Sequence, residues 1–192
     1  MTRFFWVRHG PTHEKSFVGW RDVPADLSDH ALIARVDASL PQDAIVVASD
    51  LSRASATATA IGGTRTRLPD DPALREFNFG AWDGLPFDKV AARDPTLSRR
   101  FWEEPGDLAP PDGESWNAVA ARVGASVDQL IARHPDHDII AVAHIGVIMT
   151  QIQRASGSTA YQAMGHQIEN LSTTELQMRN GRWQVGRINH IP

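Results

Sequence analysis

Apolar and polar positions along the chain fall into two alternating rhythms. Short runs without charge, Phe4–Val7, Ile45–Ala48 and Ile139–Ala143, read as strands covered on both faces, with a weaker strand at 64–68. Between them the apolar residues recur at helical spacing. Leu32, Ile33, Val36 and Leu40 share a face after Ser28 or Asp29 as N-cap, and Ala54, Ala58 and Ile61 align in the alanine-rich stretch 52–61. Trp116, Val119, Ala120, Val123, Val127, Leu130 and Ile131 form the clearest amphipathic helix, stopped by Pro135, and a further helix is expected just after His144. Residues 172–178 and 183–189 around Asn180-Gly181 predict a hairpin. Strand-helix alternation of this kind predicts one α/β domain over 1–192. Its form is a three-layer sandwich with a mostly parallel central sheet flanked by helices. Residues 77–113, rich in Trp, Phe, Pro and Gly, are expected to form an irregular insertion serving as a lid or specificity loop, with a short helix at 87–93.

Composition narrows the function classes. The 192 residues are 42% hydrophobic and 22% charged, with a net charge of −4 and no block of Lys or Arg, which argues against a broad nucleic-acid footprint. There is no cysteine, hence no disulfide, thiolate metal site or cysteine nucleophile, and a cytoplasmic location fits. The apolar start is four residues long before Arg8, too short for a signal-peptide core, and no stretch reaches the roughly 18 apolar residues of a membrane span. Oligomeric state leaves no mark in the sequence.

The chemistry-bearing residues cluster at strand ends. The first strand runs into Arg8-His9-Gly10-Pro11-Thr12, the second ends ahead of Asp50-Leu51-Ser52-Arg53, and the fourth ends in His144-Ile145-Gly146. Parallel strands bring their carboxyl ends to one side of the sheet, where ligands bind in open α/β folds. Each segment alone has a plainer reading: a surface turn, an Arg paired with Asp50, a hydrogen-bonded core His. Together, two Arg and two His around one point describe a phosphate pocket, with Arg8 and Arg53 as bidentate ligands and the helix start after His144 as an anion site. Glu76 adds a carboxyl group, either the proton donor to a leaving alkoxide or the partner of a surface Arg such as Arg75. His134-Pro135-Asp136-His137-Asp138 superficially resembles a metal-ligand spacing but falls in a helix-to-strand turn, so no metal is expected.

These segments resemble a family pattern: Arg8-His9-Gly10-x-Thr12, Gly19-Trp20-x-Asp22-Val23-Pro24, Ser49-Asp50-Leu51-x-Arg53-Ala54-x-x-Thr57-Ala58, Glu76-Phe77-x-Phe79-Gly80-x-Trp82-x-Gly84, Gly113-Glu114-Ser115-Trp116 and His144. Six motifs in order are specific, and the sequence is similar to the histidine phosphatase superfamily, the phosphoglycerate-mutase-like fold. The resemblance implies a covalent phosphohistidine on His9, a phosphoryl group held by Arg8, Arg53 and His144, and Glu76 as acid then base, without cofactor. A small phosphorylated metabolite is the implied ligand, with Thr12, Lys15 and Ile145 as further substrate contacts; Trp82, Phe101 and Trp102 either line the substrate pocket or pack in the core or lid. Lys15 would stand near the place of an Asn common in the family, and His144-Ile145-Gly146 departs from the usual His-Gly-Gly. A phosphatase is the leading expectation; a phosphoglycerate mutase or a non-catalytic homologue binding phosphorylated ligands or proteins are the alternatives. Glu114 is expected either to help cap the long helix with Ser115 or to lie near the pocket.

Overall fold

The computed structural model describes residues 1–192. Six strands form one sheet in the order β3-β2-β4-β1-β5-β6. The strands are β1 (Thr2–Arg8), β2 (Ile45–Ala48), β3 (Thr66–Arg67), β4 (Asp138–Ala143), β5 (Thr173–Arg179) and β6 (Arg182–Val185). The first four are mutually parallel where they pair, and β5 joins β1 antiparallel, followed by β6. Seven helices accompany them: α1 (His30–Ser39), α2 (Ser52–Gly62), α3 (Phe87–Arg93), α4 (Pro95–Glu103), α5 (Trp116–Arg133), α6 (Ile145–Ser156) and α7 (Ala160–Met164).

The all-apolar strands divide their side chains by the period of two. Phe4 and Trp6 of β1 and Ile139, Ala141 and Ala143 of β4 join the larger core cluster, with α5 and α6. Phe5, Val7, Ile140 and Val142 point the other way, into a second cluster with α1 and α2. Each fully buried large side chain contributes about 1.5–3 kcal/mol, so both faces of the sheet are anchored.

Local signals set the element ends. The Asp29 carboxylate caps α1 by accepting the Leu32 N–H at 2.9 Å, and Ser115 Oγ caps α5 through the Ala118 N–H at 3.2 Å. Asn180 and Gly181, both at positive φ, turn the hairpin. Residues 77–113 correct the expectation of an irregular insertion. They hold two consecutive helices, α3 and α4, and bury Trp82, Val90 and Phe101 in the larger core cluster. Pro95 opens α4 at the first helical position, where proline is favoured, a start signal that the sequence reading did not use.

Candidate active site

Parallel register builds the site. Arg8 lies beside Ala143 and Ala48 beside Val142, so the residues following β1 and β4, His9 and His144, emerge together, with ring centroids 5.1 Å apart. His9 is fixed at both ends: its N–H donates to Ala143 O at 3.1 Å, and its carbonyl accepts from Asn170 Nδ2 at 2.8 Å. The ring Nδ1 lies 2.7 Å from Gly10 O, a contact that requires Nδ1 to carry the proton and leaves the Nε2 lone pair free. Burial pushes the His9 pKa down to about 3, helped by the Arg53 and Arg8 charges and opposed by the Gly10 hydrogen bond. The ring is therefore neutral, as a nucleophile must be.

His144 is the N-cap of α6 and completely buried, and both of its ring nitrogens lack a hydrogen-bond partner, as does the buried Nε of Arg8. Buried polar groups without partners are costly, and those of His144 and Arg8 beside His9 could be satisfied by an anion with several oxygens. Burial, then the neighbouring His9 and Arg53, hold the His144 pKa well below the ordinary value. Arg8 is steadied by Nη1 donating to Ile168 O at 2.6 Å, and Arg53 by Nη2 to Gly19 O at 2.7 Å and Nη1 to Arg21 O at 3.1 Å. Arg53 does not pair with Asp50, whose carboxylate takes the Arg75 guanidinium bidentately at 2.6 and 2.7 Å. Arg53 thus keeps its positive charge uncompensated by a direct carboxylate contact in the first turn of α2, where the macrodipole disfavours it.

Glu76 is also buried, and its carboxylate accepts only main-chain N–H groups, Phe77 at 2.9 Å and Gly146 at 3.2 Å. Burial raises its pKa, against the pull of those hydrogen bonds and of Arg53 and Arg8. A carboxyl group raised in this way can hold a proton for delivery. Gly146 is required there, because a Cβ at this position would lie 2.5 Å from Glu76 Oε1 and from Phe77 Cδ2. Gly10 has a related reason: a Cβ there would meet Leu27 Cδ2 at 2.7 Å, so its smallness serves packing against residues 25–27.

A cavity of about 540 Å³ opens here, lined at its base by Arg8, His9 and Glu76 and on its walls by Thr12 and Ile145 among others; Arg53 and His144 are buried and do not line it. Two sequence-derived contacts are corrected. Trp82 is fully buried and gives its indole N–H to Asp94 at 2.8 Å, so its ring is core filling and not cavity wall. The Lys15 side chain is exposed and does not line the cavity, because the short turn after Gly10 presents Thr12, Glu14 and Ser16 there instead. Glu114 also stays out of the cavity; it accepts the Asn78 N–H at 2.9 Å and pairs with Arg122. Arg122 itself was missed. Its guanidinium donates to the carbonyls of Ala73, Arg75 and Glu76 at 2.8–2.9 Å and so holds the segment that carries Glu76. No local sequence signal distinguishes it from any other helix arginine. Thr57, which the motif contained without a role, has its Oγ1 accepting the Gly10 N–H at 3.0 Å and donating to Arg53 O at 2.6 Å, tying the Arg8–Gly10 and Arg53 segments together. No group of three or more His, Asp or Glu is placed to hold a metal ion, and no helix is long and apolar enough to cross a membrane.

Comparison with known proteins places the chain in a family. The profile of the histidine phosphatase superfamily (branch 1) matches residues 4–191. The bifunctional protein Rv2228c of Mycobacterium tuberculosis is 32% identical over 191 residues, which cover 91% of this chain and 50% of that protein. The chain therefore spans half the length of that relative. Among solved structures, Bacillus stearothermophilus YhfR superposes with a TM-score of 0.91 at 25% identity, covering 100% of this chain and 98% of that one. A mycobacterial glucosyl-3-phosphoglycerate phosphatase in complex with VO3 gives 0.84 at 30% identity, covering 97% and 98%. The chain belongs to the histidine phosphatase superfamily, branch 1.

Proposed function

We propose that the chain is a metal-independent phosphatase that hydrolyses a small phosphorylated metabolite through a phosphohistidine on His9. One observation carries the reading: neutral His9 stands with Arg8 and the raised carboxyl of Glu76 at the base of the cavity, with the His144 ring 5.1 Å behind it and the Arg53 charge near enough to lower both imidazole pKa values. His9 Nε2 attacks phosphorus and the ester P–O bond breaks. The leaving oxygen takes the proton of Glu76. A water then gives a proton to the Glu76 carboxylate as its oxygen attacks phosphorus, the P–N bond breaks, and phosphate and neutral His9 are released. Charge in a loose phosphoryl-transfer transition state spreads over the non-bridging oxygens, so two fixed guanidiniums and the His144 ring supply the stabilisation that a metal gives elsewhere. Water as final acceptor is supported by the phosphatase name carried by the mycobacterial relative. The presence of all five residues favours an enzyme over a binding homologue.

The test is turnover of p-nitrophenyl phosphate with and without chelator, in the wild type and in His9→Ala. Activity that survives chelator and vanishes in the variant is expected; full activity in His9→Ala would sink the reading. Exchange of phosphate between glycerate positions without net release would favour the mutase.

A further inference from the structure

The wall of the cavity beyond the phosphate grip is apolar. Of its 18 lining residues 11 are hydrophobic, among them Phe77, Phe79, Phe101, Trp116, Met149 and Met164. At the rim Phe87 is 60% and Trp102 39% exposed, both packed on Phe17 at ring centroid distances of 4.5 and 6.0 Å. Two exposed aromatics at the mouth of an apolar cavity are a landing surface for an apolar ligand, since isolated surface rings seldom gather in this way.

Charge is distributed to match. Arg8 is the only Lys or Arg among the lining residues, and it belongs to the phosphate grip. The charge remaining on the wall is the carboxylate of Glu14, paired at 2.9 Å with Arg21, which does not line the cavity. A second anionic group on a ligand would therefore meet aromatic edges and a carboxylate, and would lose its water without gaining a partner.

Given the phosphatase reading on which it rests, we propose that the substrate is a phosphate monoester of an apolar alcohol, aromatic by preference, that carries no second anion. Glucosyl-3-phosphoglycerate, named for the mycobacterial relative, is of the opposite kind, with a carboxylate and a polar sugar. Here the apolar group lies against the Phe and Trp side chains, while the phosphate reaches Arg8, His9 and His144.

The test compares primary-alkyl esters, so that leaving-group chemistry does not decide the outcome. Burial of a phenyl ring against this wall predicts kcat/KM for phenylpropyl phosphate above that for 3-phosphoglycerate and for ethyl phosphate by about tenfold or more. Trp102→Ala, at an exposed position, lowers the phenylpropyl-to-ethyl ratio by about threefold or more; Phe87→Ala serves if the first variant does not fold. An equal or higher kcat/KM for 3-phosphoglycerate overturns the proposal. Calorimetric binding of phenylpropylphosphonate against 3-phosphonopropionate needs no turnover and separates the two readings. Tighter binding of the phenyl compound with no hydrolysis of any ester keeps the ligand class and removes the phosphatase. His9-dependent cleavage of p-nitrophenyl phosphate, with the carboxylate compound bound as tightly or tighter, removes the ligand class and keeps the phosphatase.

Discussion

Glu76 and Gly146 are locked together: the Gly146 N–H donates to the Glu76 carboxylate at 3.2 Å, and the glycine leaves the space in which the carboxylate lies. The carboxyl proposed as the acid is thus aimed by the first turn of α6, the helix that His144 caps. Gly146→Ala is expected to displace the carboxyl group and lower kcat on alkyl phosphates by up to the roughly hundredfold to ten-thousandfold that a general acid contributes. An unchanged kcat with an intact fold, checked by circular dichroism, would contradict the placement of Glu76.

Removing the acid itself gives a sharper signature. Glu76→Gln should slow esters of poor leaving groups far more than p-nitrophenyl phosphate, whose leaving group needs little protonation; equal slowing argues against the acid role. Burial raises the Glu76 pKa, so ionising it costs stability as pH rises through the interval from the unfolded to the folded value. The same variant should therefore unfold at higher urea than wild type at neutral pH and lose that advantage at pH below the ordinary carboxyl range.

His9 works in the other direction. Its folded pKa of about 3 lies below the unfolded value of about 6.5, so the unfolded chain binds an extra proton between them. Stability is present above the unfolded pKa and is lost as pH falls toward 3. Each such group adds a slope of about 1.4 kcal/mol per pH unit, and His144 adds to it in the same sense. Urea unfolding at a series of pH values between about 6 and 4 should show a slope lower by that amount in His9→Gln. An identical slope would mean that His9 is not held neutral by the fold.

Arg122 touches no cavity atom and acts through the main chain of residues 73–76. Arg122→Ala should cost about 1–3 kcal/mol of stability from unsatisfied carbonyls and the unpaired Glu114. It should also impair alkyl esters more than p-nitrophenyl phosphate, because the Glu76 segment loosens, with partial recovery in Arg122→Lys. A uniform loss across leaving groups would mark the residue as structural only.

The groups that could be read from sequence are those whose position follows from a local rule. Arg8, His9 and His144 adjoin the ends of apolar strands, and parallel pairing leaves those ends one place to go. Arg53 and Glu76 were legible through the motifs around them. The helical nature of 95–103 was hidden by an apolar stripe spread thinly over few residues, and the start signal of Pro95 went unused. The short α7 and its Thr159 cap went unread because five residues carry too little periodicity. Lys15 was misplaced, and the sequence left Trp82 between pocket and core, for a different reason: a motif fixes where the backbone goes, while the direction of each side chain depends on what packs against it.

By itself the sequence pointed to the α/β layering and to Arg8, His9, Arg53 and His144 following the strand ends, because strand burial, parallel pairing and helix caps act over a few neighbouring residues; Glu76 was legible only through its motif. Tertiary structure decided the rest. It brought Arg122 under the Glu76 segment and put Trp82 in the core. It also lined the cavity with aromatic rings drawn from segments far apart in the chain. Which faces meet is settled only when the whole chain excludes water at once, and no local window contains that information.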